Sequence, residues 1–89
     1  MHIWSEDDDI IAFYLSRYST KLINFTYVKI SKKLGMSIGS LNMRIKIYKH
    51  LDNKPGGLCN APGQTIIVFE RLKGIESRTY KEIVEKLLA

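Results

Sequence analysis

The stretch that decides the fold is TYVKISKKLGMSIGSLNMRIKI, residues 26–47. Its first part predicts a short amphipathic helix capped by Thr26, because apolar residues recur at helical spacing between lysines. Gly35 is expected to end this helix, since glycine readily adopts the left-handed conformation of an abrupt helix end. Ser37 is expected to cap a second helix over about residues 37–50. The stretch therefore predicts two short helices joined by a tight turn.

The second helix has one apolar side and one small, polar and basic side. Its apolar residues recur at i, i+3, i+7 and i+10, which predicts a buried stripe of Ile38, Leu41, Ile45 and Tyr48. The small Ser31 lets the two helices cross closely. This arrangement is typical of a helix-turn-helix, whose second helix usually enters the major groove of DNA.

Six residues of the second helix are candidates for contacts with base edges: Ser37, Gly39, Ser40, Asn42, Met43 and Lys46. The amide of Asn42 can bind an adenine through two hydrogen bonds, and Lys46 can reach a guanine edge or a phosphate. Gly39 allows a close approach of the backbone. The alternative for Gly39 and Ser40 is a place in the first helical turn, without any role in binding.

Six cations are candidates for phosphate contacts: Lys29, Lys32, Lys33, Arg44, Lys49 and Lys54. Such contacts position a protein on DNA without reading its sequence. The alternative for each lysine is an ordinary solvated helix face. Arg44 either binds phosphate or pairs with a carboxylate among residues 7–9. Lys54, Gly56 and Gly57 form either a wing-like loop against the DNA backbone or an ordinary turn.

The positive charge of the chain is concentrated around this motif. The net charge is +5, and residues 31–54 contain six basic side chains against Asp52 alone. The segments before and after them nearly cancel, with three basic and four acidic residues over 1–30 and five basic and four acidic over 55–89. A cluster of cations attracts a polyanion and gains from counterion release, which favours a nucleic-acid partner.

The rest of the chain predicts three more helices. The first starts at Ser5, with Asp7–Asp9 near the positive end of its dipole, and ends near Tyr18. The fourth covers about residues 64–73, although residues 66–69 also fit a short strand. Ser77 is expected to cap the fifth, whose inner stripe is Tyr80, Ile83, Val84, Leu87 and Leu88. We therefore expect one all-α domain over residues 1–89, with a long loop over 52–63.

Several functional classes fit the sequence poorly. No apolar run approaches the roughly 18 residues of a membrane span, and the acidic N-terminal segment is unlike a signal peptide, so we expect a cytoplasmic protein without membrane partners. Cys59 is the only cysteine, which excludes a disulfide within the chain and a cysteine-rich zinc site. Neither His2 nor His50 has a metal ligand at suitable spacing. We expect no catalytic residues, metal or cofactor.

Two resemblances support the DNA-binding interpretation. Residues 30–41, ISKKLGMSIGSL, resemble the helix-turn-helix pattern of bacterial regulators. A longer set of residues resembles the N-terminal DNA-binding modules that precede HNH nuclease domains in restriction endonucleases: Trp4, Gly35-Met36-Ser37, Gly39-Ser40, Met43-Arg44, Leu51-Asp52, Gly57-Leu58 and Asn60-Ala61. Residues 47–50 depart from the Asn-Phe pattern of those modules, so the role of that asparagine does not carry over. Trp4 with its acidic neighbours is also similar to Myb-type domains, without their later tryptophans.

These resemblances imply binding of double-stranded DNA, and they do not imply catalysis by this chain. The protein would act as a standalone regulator or as the targeting domain of a restriction-type nuclease, with a nuclease domain or another protein as partner. The alternative is a protein-interaction module on the same scaffold, such as a phage or plasmid inhibitor of a host complex. RNA is a third candidate partner. The apolar side of the fifth helix either closes the core or forms a homodimer interface.

Overall fold

A computed structural model describes residues 2–53 and 61–89. Over these residues the chain forms five α-helices and no strand: α1 Glu6–Tyr18, α2 Tyr27–Leu34, α3 Ile38–Asn53, α4 Gly63–Leu72 and α5 Ser77–Leu88. The predicted all-α class is confirmed, and the segment that also fitted a strand belongs to α4. The predictions for Lys54, Gly56, Gly57 and Cys59 lie outside the described residues.

Three of the predicted helix caps are present. Ser5 and Asp8 form a capping box, in which each side chain accepts a hydrogen bond of 3.1 Å from the other residue's backbone amide. The Thr26 hydroxyl accepts from the Lys29 amide at 3.1 Å. The Ser37 hydroxyl accepts from the Ser40 amide at 3.1 Å, which fixes where α3 begins.

The turn between α2 and α3 depends on Gly35. Its φ of 73° and ψ of 30° lie in the left-handed region, which L-residues with a side chain adopt only at a cost. The Gly35 amide donates to the Lys32 carbonyl at 3.2 Å, and the Met36 amide donates to the Ser31 carbonyl at 3.0 Å. Met36 itself is buried beside the turn. These bonds set the direction in which α3 leaves the turn.

The core is built around α1, which packs against α3, α4 and α5. Aromatic rings dominate it. Phe13 of α1 stacks on Tyr48 of α3 with ring centroids 4.9 Å apart and meets the edge of Tyr80 of α5 at 5.9 Å. All three side chains are fully buried. Because α1 contacts α3, α4 and α5, it holds α3 in place from the core side.

The predicted boundaries of three helices and one burial assignment differ from the structure. α3 continues to Asn53 because Arg17 forms two hydrogen bonds to Asp52, of 2.8 and 2.9 Å, which stabilise its last turn. Glu76 rather than Ser77 is the N-cap of α5, since Ser77 is already helical. Ile38 is 43% exposed, because it lies in the first turn of α3 beyond the core. α4 begins and ends one residue earlier than expected.

In the ranges that the structure describes, no helix is long and apolar enough to cross a membrane.

Candidate nucleic-acid interface

The solvent side of α3 carries a row of exposed residues at helical spacing. We call this the outer row: Gly39, Asn42, Met43, Lys46 and Lys49. Burial of Leu41, Ile45 and Tyr48 on the opposite side fixes the rotation of the helix. Four of the five members were predicted base contacts and Lys49 was a predicted phosphate contact. The rotation of α3 therefore presents these residues to solvent on one face.

A shallow depression of about 400 Å³ lies beside the outer row. Its walls come from the N-terminal half of α3 and from the segment before α1: Trp4, Ser37, Gly39, Ser40, Met43, Arg44 and Ile47. The structure thus brings together four of the six predicted base contacts. Asn42 and Lys46 lie on the neighbouring exposed side of the same helix rather than in the depression.

The lysines of α2 and α3 are exposed and carry uncompensated charge. This group has five members, of which Lys46 was a predicted base contact and the others were predicted phosphate contacts: Lys29, Lys32, Lys33, Lys46 and Lys49. Within residues 2–53 and 61–89, none of them pairs with a carboxylate. Elsewhere, Lys73 pairs with Glu70 at 2.7 Å and Lys81 with Glu85 at 3.6 Å, whereas Lys21, Arg78 and Lys86 have no carboxylate partner in the same ranges. The two-helix motif therefore carries the densest group of unpaired lysines in the described residues.

Asp52, the only acidic residue within residues 31–54, reduces the positive charge of the lysine group very little. Asp52 is held by Arg17, whose guanidinium also lies 4.5 Å from the centre of the Phe13 ring. The hydrogen bonds to Asp52 raise the pKa of Arg17 above its usual value, although partial burial opposes this. Asp52 therefore acts as a structural partner of α1.

Arg44 takes the ion-pair alternative rather than an exposed position on the phosphate-contacting surface. Its Nη1 atom lies 3.1 Å from the Asp9 carboxylate, and the side chain is only 11% exposed. The guanidinium also stacks over the Trp4 ring at 4.1 Å, a cation–π contact. We therefore correct its placement and leave Arg44 out of the proposed phosphate contacts, because its charge is used inside the fold.

Asp9 is the centre of a buried polar network that joins α1, α3 and α4. Its fully buried carboxylate accepts hydrogen bonds from the Tyr48 hydroxyl at 2.8 Å, the Gln64 amide at 2.6 Å and the Thr65 hydroxyl at 3.3 Å. Arg44 also donates to Thr65. Burial, with the nearby Asp9 charge, raises the pKa of Tyr48 above its usual range. Both oxygens of the carboxylate thereby accept hydrogen bonds, which fixes α3 relative to its neighbours.

Only the pair of Arg44 with Asp9 was predicted from the sequence, as one of two alternatives for Arg44. The rest of the network was not predicted, although one signal for it was present. Asp9 precedes Ala12 and Phe13 by three and four residues, so it falls on the apolar side of α1. A carboxylate on a buried face requires a partner of opposite charge. The partners Tyr48, Gln64 and Thr65 are distant in sequence, and no local pattern indicates them.

The backbone geometry at position 39 does not require a glycine. Its φ is not positive, and a Cβ atom added there would meet only the Ser37 hydroxyl, at an ordinary contact distance of 3.8 Å. This differs from Gly35, where the left-handed φ demands glycine. The glycine at position 39 instead leaves the floor of the depression open.

Comparisons with protein-family models, curated proteins and solved structures found no significant match to this chain. The resemblances to bacterial regulators and to restriction-nuclease modules therefore stay predictions. The interface is defined by the residues of the chain itself: the outer row, the depression beside it and the lysines of α2.

Proposed function

We propose that this protein binds double-stranded DNA, with α3 in the major groove as the recognition helix of a helix-turn-helix. The observation that carries the proposal is the exposed, cationic surface of α2 and α3, where five described lysines lie without a carboxylate partner. Unpaired lysines break no ion pair within the protein when they bind phosphates, and counterion release favours the complex.

The dimensions of α3 suit this role. At 1.5 Å per residue, Gly39 and Lys46 are about 10 Å apart along the helix axis. The major groove is about 12 Å wide and admits a helix, which is about 10–12 Å across with its side chains, so this part of the outer row can lie along the groove. Asn42 and Met43 lie between these two positions and would face the base edges. Lys49 lies beyond them, where it would meet the phosphate backbone.

In this proposal the chain is a cytoplasmic DNA-binding module that acts as a standalone regulator or as the targeting part of a restriction-type nuclease. Two lines support the DNA-targeting role: the resemblance of its motif residues to such modules, and the concentration of the whole net charge of +5 around the motif. Catalysis is assigned to no residue of the chain.

A protein partner is the second candidate function. It is favoured by the exposed apolar side chains of the same two helices, since Val28 is 51%, Ile38 43% and Met43 66% exposed. Exposed apolar residues that form one continuous patch often mark a protein interface. Scattered exposed apolar residues are nevertheless common, and the unpaired lysines beside them favour a polyanion.

The first test is selection from a library of random-sequence DNA duplexes at near-physiological salt, with sequencing of the bound fraction. The proposal predicts a motif of a few base pairs, and the symmetry of that motif would distinguish a monomer from a homodimer. Binding without any motif would indicate non-specific electrostatic binding and would contradict base recognition by α3. Failure to bind any duplex, or preference for RNA, would overturn the proposal.

A pair of matched double variants locates the binding surface. Lys46→Gln with Lys49→Gln is expected to weaken duplex binding. The slope of log Kd against log salt should also fall, by about 0.9 for each phosphate that is no longer neutralised. Lys73→Gln with Lys86→Gln removes the same charge from the C-cap of α4 and from α5, and it is expected to bind nearly as the parent does. Equal weakening in both double variants, measured by fluorescence anisotropy, would contradict the assignment of α3.

A further inference from the structure

The depression beside the outer row has an apolar lining, and exposed lysines lie near it on the same helix. Met43 is 66% exposed, and Trp4 and Ile47 are half-buried beside it. Ser37 and Ser40 form the polar edge of the same depression. The side chains of Trp4, Met43 and Ile47 favour an apolar group on the ligand, because a polar base edge placed against them would lose its hydrogen bonds to water without replacement.

Contacts within the protein hold Trp4 in the wall of the hollow. Arg44 lies over the Trp4 ring at 4.1 Å, and His2 meets that ring edge-on at 5.5 Å. The Trp4 carbonyl accepts a hydrogen bond of 2.9 Å from Gln64, which ties the segment to α4. Gly39 adds no side chain to the lining, so the hollow stays open at the N-terminal end of α3.

The major groove of DNA offers one kind of apolar group, the 5-methyl of a pyrimidine. We infer that this depression receives the 5-methyl group of thymine or of 5-methylcytosine, with Met43 and Trp4 as its main contacts. The inference rests on the proposed function and narrows it to a methyl-bearing pyrimidine at one position of the site. The lysines Lys46 and Lys49 on the same helix match the phosphates that accompany such a base.

The test uses a duplex enriched from the random library and replaces each thymine in turn by deoxyuridine, which removes only the methyl group. Burial of one methyl group predicts that affinity falls about fourfold at one position and changes little elsewhere. If the enriched site instead contains cytosine at that position, 5-methylcytosine is expected to raise the affinity by a similar factor. Equal affinity for all methylated and unmethylated duplexes would overturn the inference.

Two variants assign the effect to the depression. Met43→Ala is expected to bind thymine and deoxyuridine duplexes alike, since the side chain that meets the methyl group is gone, whereas the control Leu22→Ala keeps the preference for thymine. Leu22 is 59% exposed in the connector before α2 and does not line the depression. A Met43→Ala protein that keeps the preference would contradict the assignment.

The outcomes also separate this inference from the function on which it rests. Binding of duplex DNA with no response to the methyl group would refute only the methyl pocket. Absence of duplex binding by the parent protein would refute both, and the apolar hollow would then be assigned to a protein partner.

Discussion

At the scale of single residues, two glycines of the motif have different roles. Gly35 is required by its left-handed φ of 73°, whereas Gly39 lies in the first turn of α3 with room for a methyl group. The fold therefore explains the first glycine but not the second. The turn at Gly35 was predicted from the sequence and is present, whereas a binding role for Gly39, like the alternative that it has none, stays a prediction.

Gly39→Ala should separate folding from binding. We expect the variant to keep the parent's stability or gain up to about 1 kcal/mol, because alanine favours the helix and the added Cβ meets only Ser37 Oγ at 3.8 Å. Binding of the enriched duplex should weaken by about 1–3 kcal/mol, since the methyl group would crowd a base edge. Thermal melting and fluorescence anisotropy measure the two effects.

Gly74→Ala provides the matched control. Gly74 also has open space where a Cβ atom would lie, and it is placed between α4 and α5, away from the outer row. Its substitution should leave DNA affinity unchanged. A Gly39→Ala protein that binds DNA as tightly as the parent would show that the backbone of α3 does not approach the bases closely.

At the scale of the helices, the polar network around Asp9 decides how α3 is presented. The network ties α3 to α1 through Arg44 and Tyr48, and α4 to α1 through Gln64 and Thr65. Its members lie on the inner sides of their helices, so the outer row stays available. Arg44 therefore supports the candidate interface mainly through its pair with Asp9, and only a small part of its side chain is exposed, in the wall of the depression.

Arg44→Met tests this structural role. The variant leaves the fully buried Asp9 without its cation, and removal of one partner of a buried pair typically costs about 3–5 kcal/mol of folding stability. Lys46→Met on the exposed side of α3 should change stability by no more than about 0.5 kcal/mol. Denaturant unfolding of both variants makes the comparison. An Arg44→Met protein with parental stability and impaired DNA binding would instead support a phosphate contact.

At the scale of the whole molecule, burial of tyrosines makes the folding stability depend on pH in the alkaline range. Burial raises the pKa of Tyr48 and of Tyr80, so both phenols stay protonated in the folded state at a pH where they ionise in the unfolded chain. Their contribution to stability is present below the unfolded pKa of about 10 and declines as the pH rises above it.

We therefore expect the free energy of unfolding to fall steeply above a pH of about 10. Tyr80→Phe removes one of the buried phenols and should flatten this decline, although it also removes the hydrogen bond to the Ile10 carbonyl. Denaturant titrations from about pH 8 to about pH 11 measure the slope. A stability that is constant across this range in the parent protein would contradict the expected coupling.

The local features of the fold were easier to predict from the sequence than the long-range ones. Caps at Ser5, Thr26 and Ser37 and the turn at Gly35 follow from chemistry within a few residues, and all are present. The extension of α3 depends on Arg17 meeting Asp52, a contact across 35 positions that no periodicity reveals.

The same division applies to the candidate site. Helical periodicity was enough to place Asn42, Met43 and Lys46 on the solvent side of α3. It could not show that Trp4, from the segment before α1, forms one wall of a depression with Met43. The position of Trp4 depends on Gln64 and Arg44, which only the folded chain brings to it.

The measurement that tests the central claim most directly is a titration of the isotope-labelled protein with the enriched DNA duplex, followed by the shifts of its backbone amide NMR signals. Binding through α3 predicts that the largest changes fall on residues 37–49 and on the lysine-bearing side of α2, with little change in α5. Largest changes in α5, or none on α3 in the presence of saturating DNA, would contradict it.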